Sequence, residues 1–75
     1  MMFGRIVRVR TELLDGTGFL ARIWFVSVDD DAGAMAAVRD AGGASADDLL
    51  DVLGQLPPDD VEAIGLGKDE AKAYP

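Results

Sequence analysis

The chain has no cysteine and no histidine among its 75 residues. The absence of cysteine excludes disulfide bonds, thiolate nucleophiles and thiolate metal ligands, and it is typical of proteins in the reducing cytoplasm. The absence of histidine removes the most frequent general base and the most frequent metal ligand. Ser27 and Ser45 remain as nucleophiles, but neither has a base at a recognisable spacing. We therefore expect a protein that is not an enzyme and has no cofactor.

The acidic clusters also lack the spacing of a metal site. A calcium loop places ligands at alternate positions around a central glycine and closes with a glutamate. The runs Asp29–Asp31 and Asp47–Asp48 with Asp51 do not follow that order. Adjacent aspartates point in different directions and are suited to capping helices. The sequence thus predicts no metal ligands.

Long apolar runs and basic residues are scarce as well. No stretch approaches the roughly 20 apolar residues of a membrane span, and Met1–Arg10 lacks the apolar run of a signal peptide. Seven basic residues stand against 14 acidic ones, for a net charge of −7, which disfavours direct binding to nucleic acid or to an anionic membrane. We expect one small cytoplasmic domain, residues 1–75, that is a monomer or a weak homodimer and binds a protein with a basic surface.

The charge is unevenly divided along the chain. Residues 1–28 contain four arginines and two carboxylates, a balance of +2, whereas residues 29–75 contain three basic residues and twelve carboxylates, a balance of −9. Such a division bears on the choice of partner and not on the fold.

The first 28 residues have the pattern of a β-hairpin. Residues 3–11 and 19–28 alternate in polarity and are rich in β-branched and aromatic side chains, and Asp15-Gly16 lies between them. Asp-Gly between two β-prone runs is typical of a hairpin turn, because glycine readily adopts positive φ. One face, with Val7 and Val9, is expected to be covered. The pattern assigns the arginines and Trp24 to the other, half-solvated face.

Helices are predicted on either side of an ambiguous segment. Ala32–Ala41 follows three aspartates and ends at two glycines, and Asp59–Ile64 follows Pro57-Pro58; both have the capping residues of a helix. Residues 46–56 fit a helix capped by Ser45 and Asp48, or a strand that adds a third partner to the hairpin. We expect the strand, near Leu50–Leu56. The tail from Lys68 is either an extended edge segment or frayed.

These elements predict an α+β fold with the order ββαβα, or ββααα if residues 46–56 are helical. The acidic clusters then lie at the starts of segments. In a domain this small they are expected within a Debye length of about 8–10 Å of each other, as one negative patch. The candidate partner-binding residues of that patch are Asp29, Asp30, Asp31, Asp47, Asp48, Asp51, Asp59, Asp60 and Glu62. Helix capping and solubility explain the same residues without a partner.

A second candidate surface is the sheet face assigned to Arg8, Arg10, Arg22 and Trp24. An indole near guanidinium groups is suited to binding a partner or a second copy of the chain. The alternative is that Trp24 packs within the domain, over arginine stems or under a loop.

In length, acidity, hairpin-plus-helix pattern and lack of catalytic residues, the chain resembles the small phage-encoded anti-CRISPR proteins. The resemblance extends over the whole chain in character but includes no shared motif, so it transfers no residue. It implies a non-catalytic inhibitor in the cytoplasm of the bacterial host. Its acidic patch would occupy the DNA-binding surface of a CRISPR surveillance complex and block recognition of target DNA.

Overall fold

A computed structural model describes residues 3–74, which form an α+β fold of four antiparallel strands and two helices. The strands are β1 (Gly4–Glu12), β2 (Phe19–Val26), β3 (Leu49–Leu56) and β4 (Ala71–Ala73), and the helices are α1 (Asp31–Asp40) and α2 (Pro58–Ile64). The order of strands in the sheet is β3-β1-β2-β4. The predicted α+β class is confirmed, with β3 as the strand of the ambiguous segment and β4 as the extended tail.

The hairpin forms where the turn residues predict it. β1 and β2 pair in register from Arg5 opposite Val26 to Glu12 opposite Phe19. Gly16 has a φ of 73°, and the Asp15 carboxylate accepts hydrogen bonds from the backbone N–H and the hydroxyl of Thr17. These bonds lower the pKa of Asp15 and fix the loop between the strands.

α1 begins and ends at the residues expected to cap it. The Asp30 carboxylate accepts a hydrogen bond from the backbone N–H of Gly33, as an N-cap residue does. At the other end, the Gly43 N–H donates to the carbonyl of Val38. α2 starts with Pro58 in its first turn and ends at Gly65, whose φ of 80° is the left-handed conformation that glycine readily adopts.

The core is a single layer between α1 and one face of the sheet. Its fully buried apolar side chains come from β1, β2 and α1: Val7, Val9, Val26, Ala34 and Val38. Each buried valine contributes roughly 1.5–3 kcal/mol of transfer free energy. Because α1 is rich in alanine, its backbone approaches the sheet closely, and we name the sheet face beneath it the covered face.

Trp24 belongs to this packing. Its side chain is half-buried against the core, and a Cβ added at Gly43 would lie 2.5 Å from its Cζ2 and 2.9 Å from Val38 Cγ1. Only glycine fits at position 43, because the loop after α1 passes too close to the indole for a larger side chain. The structure therefore places Trp24 within the domain.

We predict that Gly43→Ala destabilises the fold by about 1–3 kcal/mol, because the new methyl group overlaps the indole and Val38. Gly54→Ala is the matched control, since nothing lies within 4 Å of a Cβ at that position. Urea unfolding followed by Trp24 fluorescence measures both. Equal stability of the two variants would contradict the packing described for Trp24.

Candidate functional site

The second face of the sheet has no helix across it among residues 3–74. The side chains of β1 alternate, so Ile6, Arg8 and Arg10 point away from α1, and the register aligns them with Phe25, Ile23 and Ala21 of β2. α2 contacts only the end of this face, where Val61 lies 3.3 Å from a Cβ position at Gly4. We name this surface the open face; its side chains are Ile6, Arg8, Arg10, Glu12, Phe19, Ala21, Ile23, Phe25, Leu49, Asp51, Lys72 and Tyr74, with Leu53 at its margin.

The open face exposes large apolar side chains between its charged residues. Phe19, Leu49 and Leu53 each keep 49% of their surface exposed, and Tyr74 keeps 62%. An antiparallel sheet with one solvated face normally presents polar residues there. Exposed apolar patches on small soluble domains mark sites of interaction more often than scattered single residues do.

Two aromatic contacts give this face a fixed shape. The rings of Phe25 and Tyr74 meet edge to face with centroids 5.6 Å apart, and the backbone N–H of Tyr74 donates to the Ile23 carbonyl. At the other end of the face, the Arg10 guanidinium carbon lies 5.8 Å from the centre of the Phe19 ring. Both contacts restrict side-chain motion.

An ion pair lies in the middle of the open face. Arg8 donates from Nε and Nη2 to the two oxygens of Asp51, at 3.1 and 2.6 Å. Arg10 Nε lies 3.8 Å from the same carboxylate. The side chains of Arg8 and Asp51 are 36% and 35% exposed, so the pair is partly shielded from solvent and its geometry is bidentate.

The predicted arginine and tryptophan surface does not exist as one face. The register places Trp24 opposite Val7 and Arg22 opposite Val9, on the covered face, whereas Arg8 and Arg10 are on the open face. The predicted grouping was wrong because residues directly opposite each other in a sheet share a face, and alternation within each strand does not determine the register between the strands.

The predicted acidic patch is divided between the ends of the sheet. Six exposed carboxylates lie at the end where Gly4 pairs with Leu56: Asp29, Asp30, Asp31, Asp59, Asp60 and Glu62. Asp47 and Asp48 precede β3 at the opposite end. β3 has eight residues, so the two groups are about 25 Å apart, which is more than twice the Debye length. The expectation of a single patch was therefore wrong.

Several of these carboxylates have local partners. Asp30 caps α1, Asp31 accepts a hydrogen bond from Arg5 Nε at 3.1 Å, and Asp51 is paired with Arg8. The predicted capping role is thus observed for Asp30. Asp29, Asp59, Asp60 and Glu62 keep their side chains exposed to solvent.

Asp48 stabilises the loop that leads into β3. Its carboxylate accepts the backbone N–H of Ser45 at 3.0 Å, and its own N–H donates to the Ser45 carbonyl. The hydrogen bond from the Ser45 backbone lowers the pKa of Asp48 from its ordinary 3.8, and the nearby Thr11 hydroxyl and the positive charge of Arg22 act in the same direction. These hydrogen bonds hold the loop before β3 in place.

No group of three or more acidic side chains within residues 3–74 has the geometry to hold a metal ion. In the same range, no helix is long and apolar enough to cross a membrane. Comparison with protein families, with curated proteins and with solved structures found no match.

We predict that the contribution of Asp48 to stability depends on pH. A carboxyl group whose pKa is lowered by folding stabilises the native state when ionised, so the contribution is present above pH 4 and is lost as pH falls through the folded-state pKa. Asp48→Asn keeps the acceptor but removes the charge, and it should therefore be less stable than wild type at pH 7 and converge with it near pH 2.

Urea unfolding at a series of pH values measures this difference, with Asp47→Asn as the control for an exposed neighbour. A difference between wild type and Asp48→Asn that stays constant down to pH 2 would count against the role of the charge.

Proposed function

We propose that this chain is a non-catalytic binding protein that docks onto another protein through its open face. The observation that supports this most is the exposure of Phe19, Leu49 and Tyr74 on a sheet face that no helix of residues 3–74 covers. Tyrosine and arginine are frequent among the residues that contribute most to protein interfaces, and both are fixed in place here by Phe25 and Asp51.

The charges of the open face favour a different protein over a second copy of the chain. Arg8 and Arg10 lie on β1, which is an inner strand of the sheet. In a two-fold dimer packed face to face, these arginines would approach their own counterparts. Like charges placed against each other in an interface are unfavourable. We therefore expect a partner protein with an apolar surface.

A second candidate function is inhibition of a nucleic-acid-binding protein, as the resemblance to anti-CRISPR proteins implies. Six exposed carboxylates at one end of the sheet favour it, because a cluster of negative charge is attracted to a basic groove. On this proposal, the acidic end occupies the DNA-binding surface of a bacterial CRISPR surveillance complex. The partner has a basic surface, and the negative charge and the volume of the bound chain exclude target DNA from that surface.

The two candidates are separated by capture from a bacterial lysate with matched variants. The bait is the tagged chain as wild type, as Phe19→Ser with Tyr74→Ser on the open face, or as Asp59→Lys with Asp60→Lys at the acidic end. Leu13→Ser with Leu14→Ser is the control, because both leucines are exposed in the hairpin turn. Captured proteins are identified and quantified by mass spectrometry.

We expect the variant of the open face to lose at least about tenfold in capture of its partner, since two aromatic contacts of an interface together contribute more than 1 kcal/mol. The hairpin control should behave as wild type. Capture that survives on the open-face variant but is lost on the acidic-end variant would reject the open face and favour the inhibitor.

A further inference from the structure

The outer edge of β3 is unpaired over its whole length among residues 3–74. β3 is the first strand in the order β3-β1-β2-β4, and its eight residues pair only with β1. The opposite edge is different, because β4 pairs with Trp24–Val26 of β2 and Tyr74 donates to the Ile23 carbonyl. The chain thus covers part of one edge of the sheet itself and leaves the other edge free.

The hydrogen-bonding groups on the free edge follow from the pairing. Tyr74 N–H donates to the Ile23 carbonyl, and Ser27 N–H, just past the end of β2, donates to the Glu70 carbonyl. Ile23 and every second residue after it therefore direct their backbone groups toward β4. Backbone groups alternate along an antiparallel strand, so Val7 and Val9 bind β2, whereas Arg8 and Arg10 bind β3. In β3, Asp51 and Leu49 lie opposite Arg8 and Arg10, so their backbone N–H and C=O groups are directed toward β1. The N–H and C=O groups of Leu50, Val52 and Gln55 are therefore directed outward.

β3 lacks most of the features that normally protect an edge strand. Natural edges are blocked by lysine, by proline, by a bulge or by a covering element. Leu49–Leu56 contains no lysine and no proline, and its one charged side chain, Asp51, is bound to Arg8. It has one bulge, at Leu53, because Ile6 faces Gly54 whereas Val7 faces Val52, so the regular edge is longest over residues 49–52. The strand remains able to accept another strand.

Acidic side chains predominate along the segment that carries this edge, although Arg39 donates to the Ser45 carbonyl before it. Residues 47–62 contain no lysine and no arginine, and they contain six carboxylates: Asp47, Asp48, Asp51, Asp59, Asp60 and Glu62. Asp47 is exposed just before β3, and Asp59 and Asp60 are exposed just after it. The free edge is therefore bracketed by negative charge at both ends.

We infer that the outer edge of β3 binds an extended segment of a partner protein by strand addition, and that the segment has basic residues at both ends of an alternating apolar stretch. The inference rests on the proposed function and names how the partner binds: Leu49 and Leu53 border both the edge and the open face, so one partner can engage both. Main-chain hydrogen bonds supply affinity in such complexes, and flanking side chains supply specificity.

A second copy of the chain is a poorer occupant of this edge. Antiparallel pairing of two β3 strands would bring Asp47 of one copy toward Asp59 and Asp60 of the other. These groups would repel, whereas lysine or arginine at the ends of a partner strand would be attracted.

The test uses synthetic peptides and the ¹⁵N-labelled wild-type chain. The first peptide has alternating valine and threonine flanked by lysines. The second has glutamates in place of the lysines, and the third is the lysine peptide with alternate amides methylated so that it cannot pair as a strand. We expect the lysine peptide alone to bind and to shift the amide signals of Leu50, Val52 and Gln55. Its affinity should fall as salt is added.

Three variants test the role of the flanking charges. Asp47→Lys and Asp59→Lys should each weaken the lysine peptide about fivefold, which corresponds to roughly 1 kcal/mol for an exposed charge pair. Asp40→Lys is the matched control, because Asp40 lines a cleft with Ala71 on the β4 side of the molecule. It should leave the affinity unchanged. The folded state of each variant is verified by its amide spectrum.

The inference is overturned if the lysine peptide fails to bind, if the methylated peptide binds equally well, or if the shifted amides lie on β2 and not on β3. It is also overturned if the chain dimerises through β3 at the concentrations used. These outcomes leave the proposed function standing when the open-face variant still loses its partner. Conversely, the open-face variant could still capture its partner at the wild-type level while the lysine peptide adds to β3. That result would reject the open face as the docking surface and leave strand addition standing.

Discussion

A single ten-residue helix covers one face of the four-stranded sheet, and most other features of the structure follow from that constraint. α1 is close to the sheet because its inward residues are Ala34 and Val38, and together with Val7, Val9 and Val26 they form the whole fully buried apolar cluster. α2 is short and reaches only the end of the sheet at Gly4. Large apolar residues of the second face, among them Phe19, Leu49 and Tyr74, therefore stay exposed.

Local signals in the sequence predicted the elements of the fold well. The Asp15-Gly16 turn, the aspartates before α1 and the proline that begins α2 act through short-range geometry that can be read without knowledge of the fold. Residues 45–56 show how tertiary structure selects between local alternatives. The Asp48 carboxylate accepts the Ser45 N–H as it would in a capping box, but the Asp48 N–H donates to the Ser45 backbone carbonyl, as in a turn. The chain then continues into β3, because pairing with β1 stabilises an otherwise marginal hairpin.

The surfaces were harder to predict from the sequence. The side chains of each strand alternate as the pattern indicates. Whether Trp24 shares a face with Arg8 or with Val7 depends on the register between β1 and β2, which no local signal supplies. The acidic groups were separated for a similar reason. Asp47 and Asp59 are close in sequence but occupy the two ends of β3, and strand length determines their distance. The aromatic pair of Phe25 and Tyr74 depends on β4, whose position the tail alone did not define.

The most direct test of the account is the exposure of the two sheet faces in the free chain. A soluble paramagnetic probe broadens the signals of side chains that solvent reaches. We predict strong broadening for the Leu49 and Leu53 methyl groups and the Tyr74 ring, and little for the methyl groups of Val7 and Val9. Protection of Leu49, Leu53 and Tyr74 to the level of Val7 and Val9, at a concentration where the chain is monomeric, would contradict the existence of an open face.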